Sequence, residues 1–295
     1  MDVWSHARWR IELPPGHKFP ISKYGLLVER VSGLVSVLES EPVPWEWLAL
    51  VHEEALLERI RLGQMSIREQ RGLGLPWSEL LVERGRRSVG GTVAASRRAL
   101  SLGIGMNLGG GTHHAGRDFA RGYCLFNDVA VTLARLRVEG LAQRALVVDC
   151  DVHQGDGTAQ ILGPDPDAFT LSLHGARNYP FQRIPSDLDL DLPSGTGDDE
   201  YLAELDRALD EALDAGPFDV AFFLAGADPW EGDRLGRLSL TKPGLRLRDE
   251  LVLARLRGIP TVVVLAGGYA PDPRDTVDIN VATLESVLAA ARALS

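Results

Sequence analysis

Hydrophobic positions along this chain fall into short continuous runs rather than a polar-apolar alternation. LGIGMNL (Leu102 to Leu108), ALVVDC (Ala145 to Cys150), AFTLSL (Ala168 to Leu173), FDVAFFLAG (Phe218 to Gly226) and PTVVVLAGG (Pro260 to Gly268) each read as a buried strand. A strand covered on both faces has no solvent side, so it stays apolar throughout. Helical stretches lie between them. Asp128 to Arg137 follows the first run, and Asp199 to Ala215 precedes the fourth, with acidic residues in its first turn that suit the helix dipole. Leu245 to Leu256 precedes the fifth, and Thr276 to Leu294 closes the chain. Ser22 to Leu38 and Ser88 to Leu100 are the helices predicted in the first hundred residues. Such alternation predicts a parallel α/β sheet. No repeat, low-complexity tract or linker interrupts it, so residues 1–295 are expected to form one domain.

In an open parallel sheet, ligands sit beyond the carboxyl ends of the strands. The reactive side chains fall there. His113 and His114 follow the first run; Asp149, Asp151 and His153 surround the end of the second; Ser172 and His174 end the third. Asp228 follows the fourth and Tyr269 the fifth.

The segment Asp149-Cys150-Asp151-Val152-His153-Gln154-Gly155-Asp156-Gly157 carries the strongest local signal. Asp151 and His153 are two residues apart at a strand exit, so both side chains can point the same way. Carboxylates with an imidazole suit a divalent cation such as Zn2+. A catalytic zinc usually has three protein ligands, and Asp228 in LAGADPW is the natural third. Taken singly, Asp151 reads as a cap or turn carboxylate and His153 as a hydrogen-bonded core histidine. Those readings are poor for all three residues at strand ends. His113-His114, within GGGTHHAG, supplies two imidazoles that can divide general-base and general-acid duties. Asp149 and Asp156 are placed to fix their tautomers. The phenol of Tyr269 can donate to a carbonyl oxygen as charge develops, although a strand-end tyrosine that merely packs is the commoner case.

Composition narrows the classes. A formal net charge of -10 argues against nucleic-acid or anionic-membrane surfaces. An acidic surface suits a cationic partner, but solubility alone explains it. Cys124 and Cys150 both sit in apolar segments and are expected to be free, buried thiols in a reducing compartment. The first residues hold no signal-peptide stretch, and no run of about 18 apolar residues exists, so a cytoplasmic protein is expected. The glycines at 103, 105 and 109 to 111 do not make a G-x-G-x-x-G loop opening a helix, and no G-x-S-x-G elbow occurs.

GGGTHHAG, RGYCLFNDVAV, DCDVHQGDGT, LSLHG, NYP, LAGADPWEGDRLG and LAGGYA occur in that order, preceded by HKFPISKYGLLVERV and PWSELLVERGRRSVGGTVAA. In this series the chain resembles the zinc-dependent histone deacetylases and acetoin-utilisation-type deacetylases, nearest in detail to the class IV branch and its bacterial relatives. The resemblance implies an arginase-like α/β sandwich with a mainly parallel sheet of about eight strands. It implies zinc, or iron in its place, at Asp151, His153 and Asp228. It implies catalytic roles for His113, His114 and Tyr269, with Asp149 and Asp156 partnering the two histidines. It assigns Gly122, Tyr123 and Tyr179 to the walls of a substrate tunnel. It further implies a structural K+ or Na+ site made by Asp149, Ser172 and the backbone oxygens of Asp151, His153 and Leu173. The expected substrate is an acetylated lysine, in a peptide or protein, or a small acetylated amine. Gly111 and Thr112 depart from the family pattern before the histidine pair, which predicts a more mobile loop there, and no rim carboxylate for binding substrate backbone can be matched. Binuclear ureohydrolases need further carboxylates two residues after His153 and Asp228, where this chain has Gly155 and Trp230. An acyl-amine binding module without turnover is the other alternative.

Overall fold

The computed structural model describes residues 1–294. One eight-stranded sheet organises them, in the order β2-β1-β3-β8-β7-β4-β5-β6. Its strands are β1 (Asp2–Ser5), β2 (Ser36–Glu39), β3 (Ile104–Asn107), β4 (Ala145–Asp149), β5 (Ala168–Gly175), β6 (Leu188–Leu192), β7 (Val220–Leu224) and β8 (Thr261–Val264). Every adjacent pair runs parallel. The five apolar runs are β3, β4, β5, β7 and β8, and all residues of β3, β4, β7 and β8 are buried. The three strands not anticipated from hydropathy lie toward the edges. β6 alternates Leu with Asp, and β2 is largely exposed, because an edge strand needs burial on fewer sides.

Ten helices are described: α1 (Ser22–Val31), α2 (Trp45–Leu48), α3 (Glu54–Arg61), α4 (Ile67–Leu73), α5 (Glu79–Leu102), α6 (Asp128–Val138), α7 (Asp156–Leu162), α8 (Asp198–Asp214), α9 (Lys242–Arg255) and α10 (Pro273–Arg292). The helix predicted over Ser22 to Leu38 ends at Val31. After the Ser32-Gly33 turn the chain re-enters the sheet, where Ser36 to Glu39 pair with Asp2 to Ser5. Helix α5 begins nine residues before the predicted Ser88, with the Ser78 side chain accepting from the Leu81 amide at 3.1 Å. Two glycines diluted its hydrophobic signal for a steric reason. A Cβ on Gly90 would come 1.8 Å from the Glu41 carbonyl oxygen, and one on Gly91 would meet Ser40 and Asn107.

Two apolar clusters cover the two faces of the sheet. Leu146, Val148, Leu171, Phe223 and Val263 point into one, with α8, α9 and α10. Val147, Phe222, Leu224, Val262 and Val264 point into the other, with α5 and α6. The alternation along each strand is therefore between two cores rather than between core and water. Both cysteines are free and buried. No described helix is long and apolar enough to cross a membrane.

Candidate metal centre and catalytic cleft

Parallel strands bring their carboxyl ends to one edge, and the reactive residues gather there. Asp149 is the last residue of β4, and Asp151 and His153 lie in the turn that leads to α7. Asp228 leaves β7, and Tyr269 leaves β8. The loop after β3 delivers His113 and His114.

Ligand atoms of Asp151, His153 and Asp228 lie within 4.8 Å of one another, and all three residues are buried. Nδ1 of His153 faces both carboxylates, 2.9 Å from Asp151 Oδ1 and 3.4 Å from Asp228 Oδ2. Backbone amides hold the outer oxygens. Gly267 donates to Asp151 Oδ2 at 2.8 Å, and Val152 donates to Asp228 Oδ1 at 3.0 Å. Asp228 Oδ2 is buried without a hydrogen-bond donor. Burial, then the neighbouring Asp151 charge, pushes the Asp228 carboxyl up to about 6. Burial opposes charge on His153, yet the two carboxylates outweigh it and push the imidazole up to about 10. A buried acceptor aimed at a shared point by two carboxylates and one imidazole is a demand for a cation, and the donor set fits zinc or iron. Gly267 and Gly226 make room for it. A Cβ on Gly267 would stand 2.0 Å from Asp228 Oδ2 and 2.5 Å from Asp151 Oδ2.

The histidine pair lies beside this centre. His113 Nδ1 is 2.6 Å from Asp149 Oδ2, and His114 Nδ1 is 2.5 Å from Asp156 Oδ1. The Nε2 atoms are thereby left for the cleft. Their surroundings differ. Burial opposes charge on His113, but Asp149 and Asp151 overcome it and push it up to about 9. Burial and then the His113 charge push His114 down to about 4. Asp156 offsets this only in part, and its other oxygen pairs with Arg121. Burial keeps the Tyr269 phenol protonated, well above its ordinary range.

Gly122, Tyr123 and Tyr179 line the same cavity, of about 460 Å³, together with His114, His153 and Tyr269. The Tyr179 ring stands edge-on to His114, with centroids 4.9 Å apart, and Tyr123 lies 5.7 Å from Tyr269. Gly122 has φ +57, and a Cβ there would meet the His114 ring at 2.5 Å. Tyr123 itself has φ +66, an uncommon left-handed conformation outside glycine. Its amide donates to the Leu73 carbonyl at 2.8 Å, which secures it.

Ser172 is the register partner of Asp149 across β4 and β5, and Leu173 follows it. Ser172 Oγ lies 2.9 Å from His174 Nδ1. His174, the remaining strand-end histidine, takes no part in the ligand group. It is buried against Arg183 and Asp191.

The expectation of a mobile loop before His113 is not met by its contacts. Asp128 accepts from the Gly111 amide at 3.1 Å and the Thr112 amide at 2.7 Å, and the Thr112 hydroxyl bonds Asp128 at 2.6 Å. Gly110 and Gly111 adopt φ +76 and +70, which glycine alone takes up freely. Sequence reasoning also passed over Arg121 and Arg248. The buried Arg248 guanidinium donates to the carbonyl oxygen of Gly226 at 2.5 Å and approaches that of Cys150 at 3.4 Å, bracing two of the segments that carry the ligands. Arg121 opens the RGYCLFNDVAV segment, but its pairing with Asp156 and the reach of Arg248 to Gly226 cross 22 residues or more, so no local spacing announces either contact.

Comparison with known proteins shows the family and the fold. The histone deacetylase domain model matches residues 19–283. An uncharacterized protein of Picosynechococcus sp. strain PCC 7002 is 41% identical over 281 residues, covering 92% of this chain and 93% of that one. Histone deacetylase 2 of Arabidopsis thaliana is 36% identical over 193 residues, 62% of this chain and 49% of that protein. The crystal structure of a histone deacetylase homologue from Aquifex aeolicus superposes with a TM-score of 0.83 at 24% identity, over 99% of this chain and 87% of that one, which shows the shared fold. The parallel α/β fold and the carboxylate-imidazole centre place this protein among the deacetylase-like α/β proteins. The chain belongs to the histone deacetylase domain family.

Proposed function

We propose that the protein is a zinc-dependent deacylase, hydrolysing the amide of an acetylated lysine or a small acetylated amine. The observation that carries this reading is the buried, donor-free Asp228 Oδ2 converging with Asp151 and His153 beside two oppositely poised histidines. A zinc or iron ion held by Asp151, His153 and Asp228 supplies Lewis-acid polarisation of the acyl carbonyl and of the attacking water.

The chain's own groups do the rest. His114, kept neutral by burial and by charged His113, accepts a proton from the water at Nε2. Asp149 holds His113 in the protonated form, so His113 donates to the departing amine nitrogen. Tyr269 donates its phenol hydrogen to the carbonyl oxygen as charge grows there. Gly122, Tyr123 and Tyr179 form the walls along which the acylated side chain enters, and they exclude bulk water. Acetate and a free amine result. The proposal includes a structural potassium or sodium ion at Asp149, Ser172 and the backbone oxygens of Asp151, His153 and Leu173. These are oxygen donors on adjoining strand ends, as a hard cation prefers.

Purified protein loaded with zinc and offered acetyl-lysine peptides, acetylpolyamines and longer acyl-lysines tests the reading through acetate or acid release. Binding of these compounds without any release would instead support a non-hydrolytic acyl-amine module.

A further inference from the structure

The mouth of the cleft is cationic on an otherwise acidic protein. The chain carries 41 acidic against 31 basic residues. Yet the cavity that holds His114, His153 and Tyr269 is lined by Arg71, Arg177 and Arg237 and by no Asp or Glu. The three come from separate parts of the chain. Arg71 lies in α4, whose last turn hydrogen-bonds the tunnel wall through the Gly72 and Leu73 carbonyls to the Gly122 and Tyr123 amides. Arg177 precedes the Tyr179 wall. Arg237 lies two residues beyond Leu235, whose carbonyl accepts from the Asn178 side chain at 2.7 Å. Arg177 and Arg237 also line a second cavity, of about 390 Å³, that adjoins the mouth at Phe181, a residue 87% exposed.

All three arginines are exposed, and none forms an ion pair among the described residues. Exposed arginines without an ion pair occur elsewhere too, Arg10, Arg61, Arg68, Arg117 and Arg257 among them, but these do not line the cleft. Arg121 and Arg183, next to the same cleft, are matched to Asp156 and Asp191, and Arg97, Arg207, Arg246 and Arg255 on the outer surface are each matched to carboxylates. In an acidic protein, three unmatched guanidinium groups around one opening leave a local positive field at the place where substrate enters. Guanidinium groups also bind carboxylate and phosphate with two parallel hydrogen bonds, a geometry that lysine lacks. A polyamine or a lysine-rich tail would bring like charge against this rim, with no carboxylate to receive it.

Resting on the deacylase reading, we propose that Arg71, Arg177 and Arg237 select acylated amines that carry an anionic group, carboxylate or phosphate, close to the acylated nitrogen, and reject polycationic ones. The test uses acetyl-lysine peptides of one length flanked by Glu, phosphoserine, Gln or Lys, assayed on the zinc-loaded protein. The kcat/KM values for the Glu and phosphoserine peptides exceed that for the Gln peptide by on the order of tenfold, and the Lys peptide falls below it. The difference between the Glu and phosphoserine arms says which anion fits better. Raised salt narrows the spread, because the rim is exposed. The combined variant Arg71→Gln, Arg177→Gln, Arg237→Gln levels the series, and each single substitution, measured alongside, narrows it. Arg207→Gln, in α8 and outside the cavity lining, keeps it. Equal values across the wild-type series, a preference for the Lys peptide, or a spread that persists in the rim variants overturns the proposal. If no peptide of any charge is cleaved, the deacylase reading fails on its own, and calorimetric binding of the same four peptides still decides the rim by the same ranking.

Discussion

His113 and His114 are adjacent in the chain, with ring centroids 4.1 Å apart, and stand in opposite protonation environments. One shares its proton with Asp149 and is pushed up to about 9; the other is buried beside that charge and pushed down to about 4. Neither value belongs to the dipeptide. The difference comes from Asp149, and then Asp151, outweighing burial at His113, while at His114 burial and the His113 charge outweigh Asp156. Titratable neighbours whose pKa values are forced apart are the pattern of an acid and a base.

Metal content separates ligands from proton carriers. Asp228→Ala is expected to lose bound metal and activity together, because two ligands remain. His114→Ala is expected to lose activity with metal retained. Elemental analysis of both variants after zinc loading checks this, and equal metal loss would make His114 a ligand.

Gly267→Ala is expected to behave like a ligand mutation although it alters no ligand. Its Cβ would fall 2.0 Å from Asp228 Oδ2 and 2.5 Å from Asp151 Oδ2, the space where the carboxylates converge. The backbone there is not in the left-handed region, so the substitution adds no backbone strain and its cost falls on the two carboxylates. Weakened zinc affinity in a competition titration, with an unchanged circular dichroism spectrum, is the expected result.

Tyr269→Phe keeps the packed ring and deletes the donor. Loss of a hydrogen bond to a developing oxyanion typically costs about 100-fold to 1,000-fold in turnover. Zinc content and affinity for a substrate analogue should change far less, since the ground-state carbonyl is the weaker acceptor. Near-normal turnover would leave Tyr269 as a packing residue.

Acid stability tests the frame behind the site. His52 Nδ1 donates to the Gly116 carbonyl at 2.8 Å, and Nε2 accepts from the Asn127 amide at 3.0 Å. Both nitrogens are committed to the neutral ring, and burial pushes the imidazole down to about 4. The unfolded chain then binds the proton more readily. The contribution is fully present above about pH 6.5 and is lost as pH falls toward 4, amounting to on the order of 3 kcal/mol. Urea unfolding between pH 7.5 and 4.5 should show this loss, and His52→Gln, weaker at neutral pH, should show a shallower slope.

The sequence by itself determined five of the eight strands and the candidate residues at their ends. Doubly covered parallel strands are apolar along their whole length, so β3, β4, β5, β7 and β8 stand out from local pattern alone. Asp151 and His153 are legible for the same reason, because two residues of strand-exit spacing fix a common direction. The edge strands were not legible, since β2 and β6 bury too little to carry a continuous apolar signature. Tertiary structure alone decided what depends on distant segments meeting. It brought Arg248 onto the Gly226 carbonyl, tied the Thr112 loop to Asp128, split the two histidines' protonation and gathered three unpaired arginines at the mouth. Hydrogen bonds and Coulomb interactions act over a few ångströms of space without regard to sequence separation, so no local pattern of residues could have announced them.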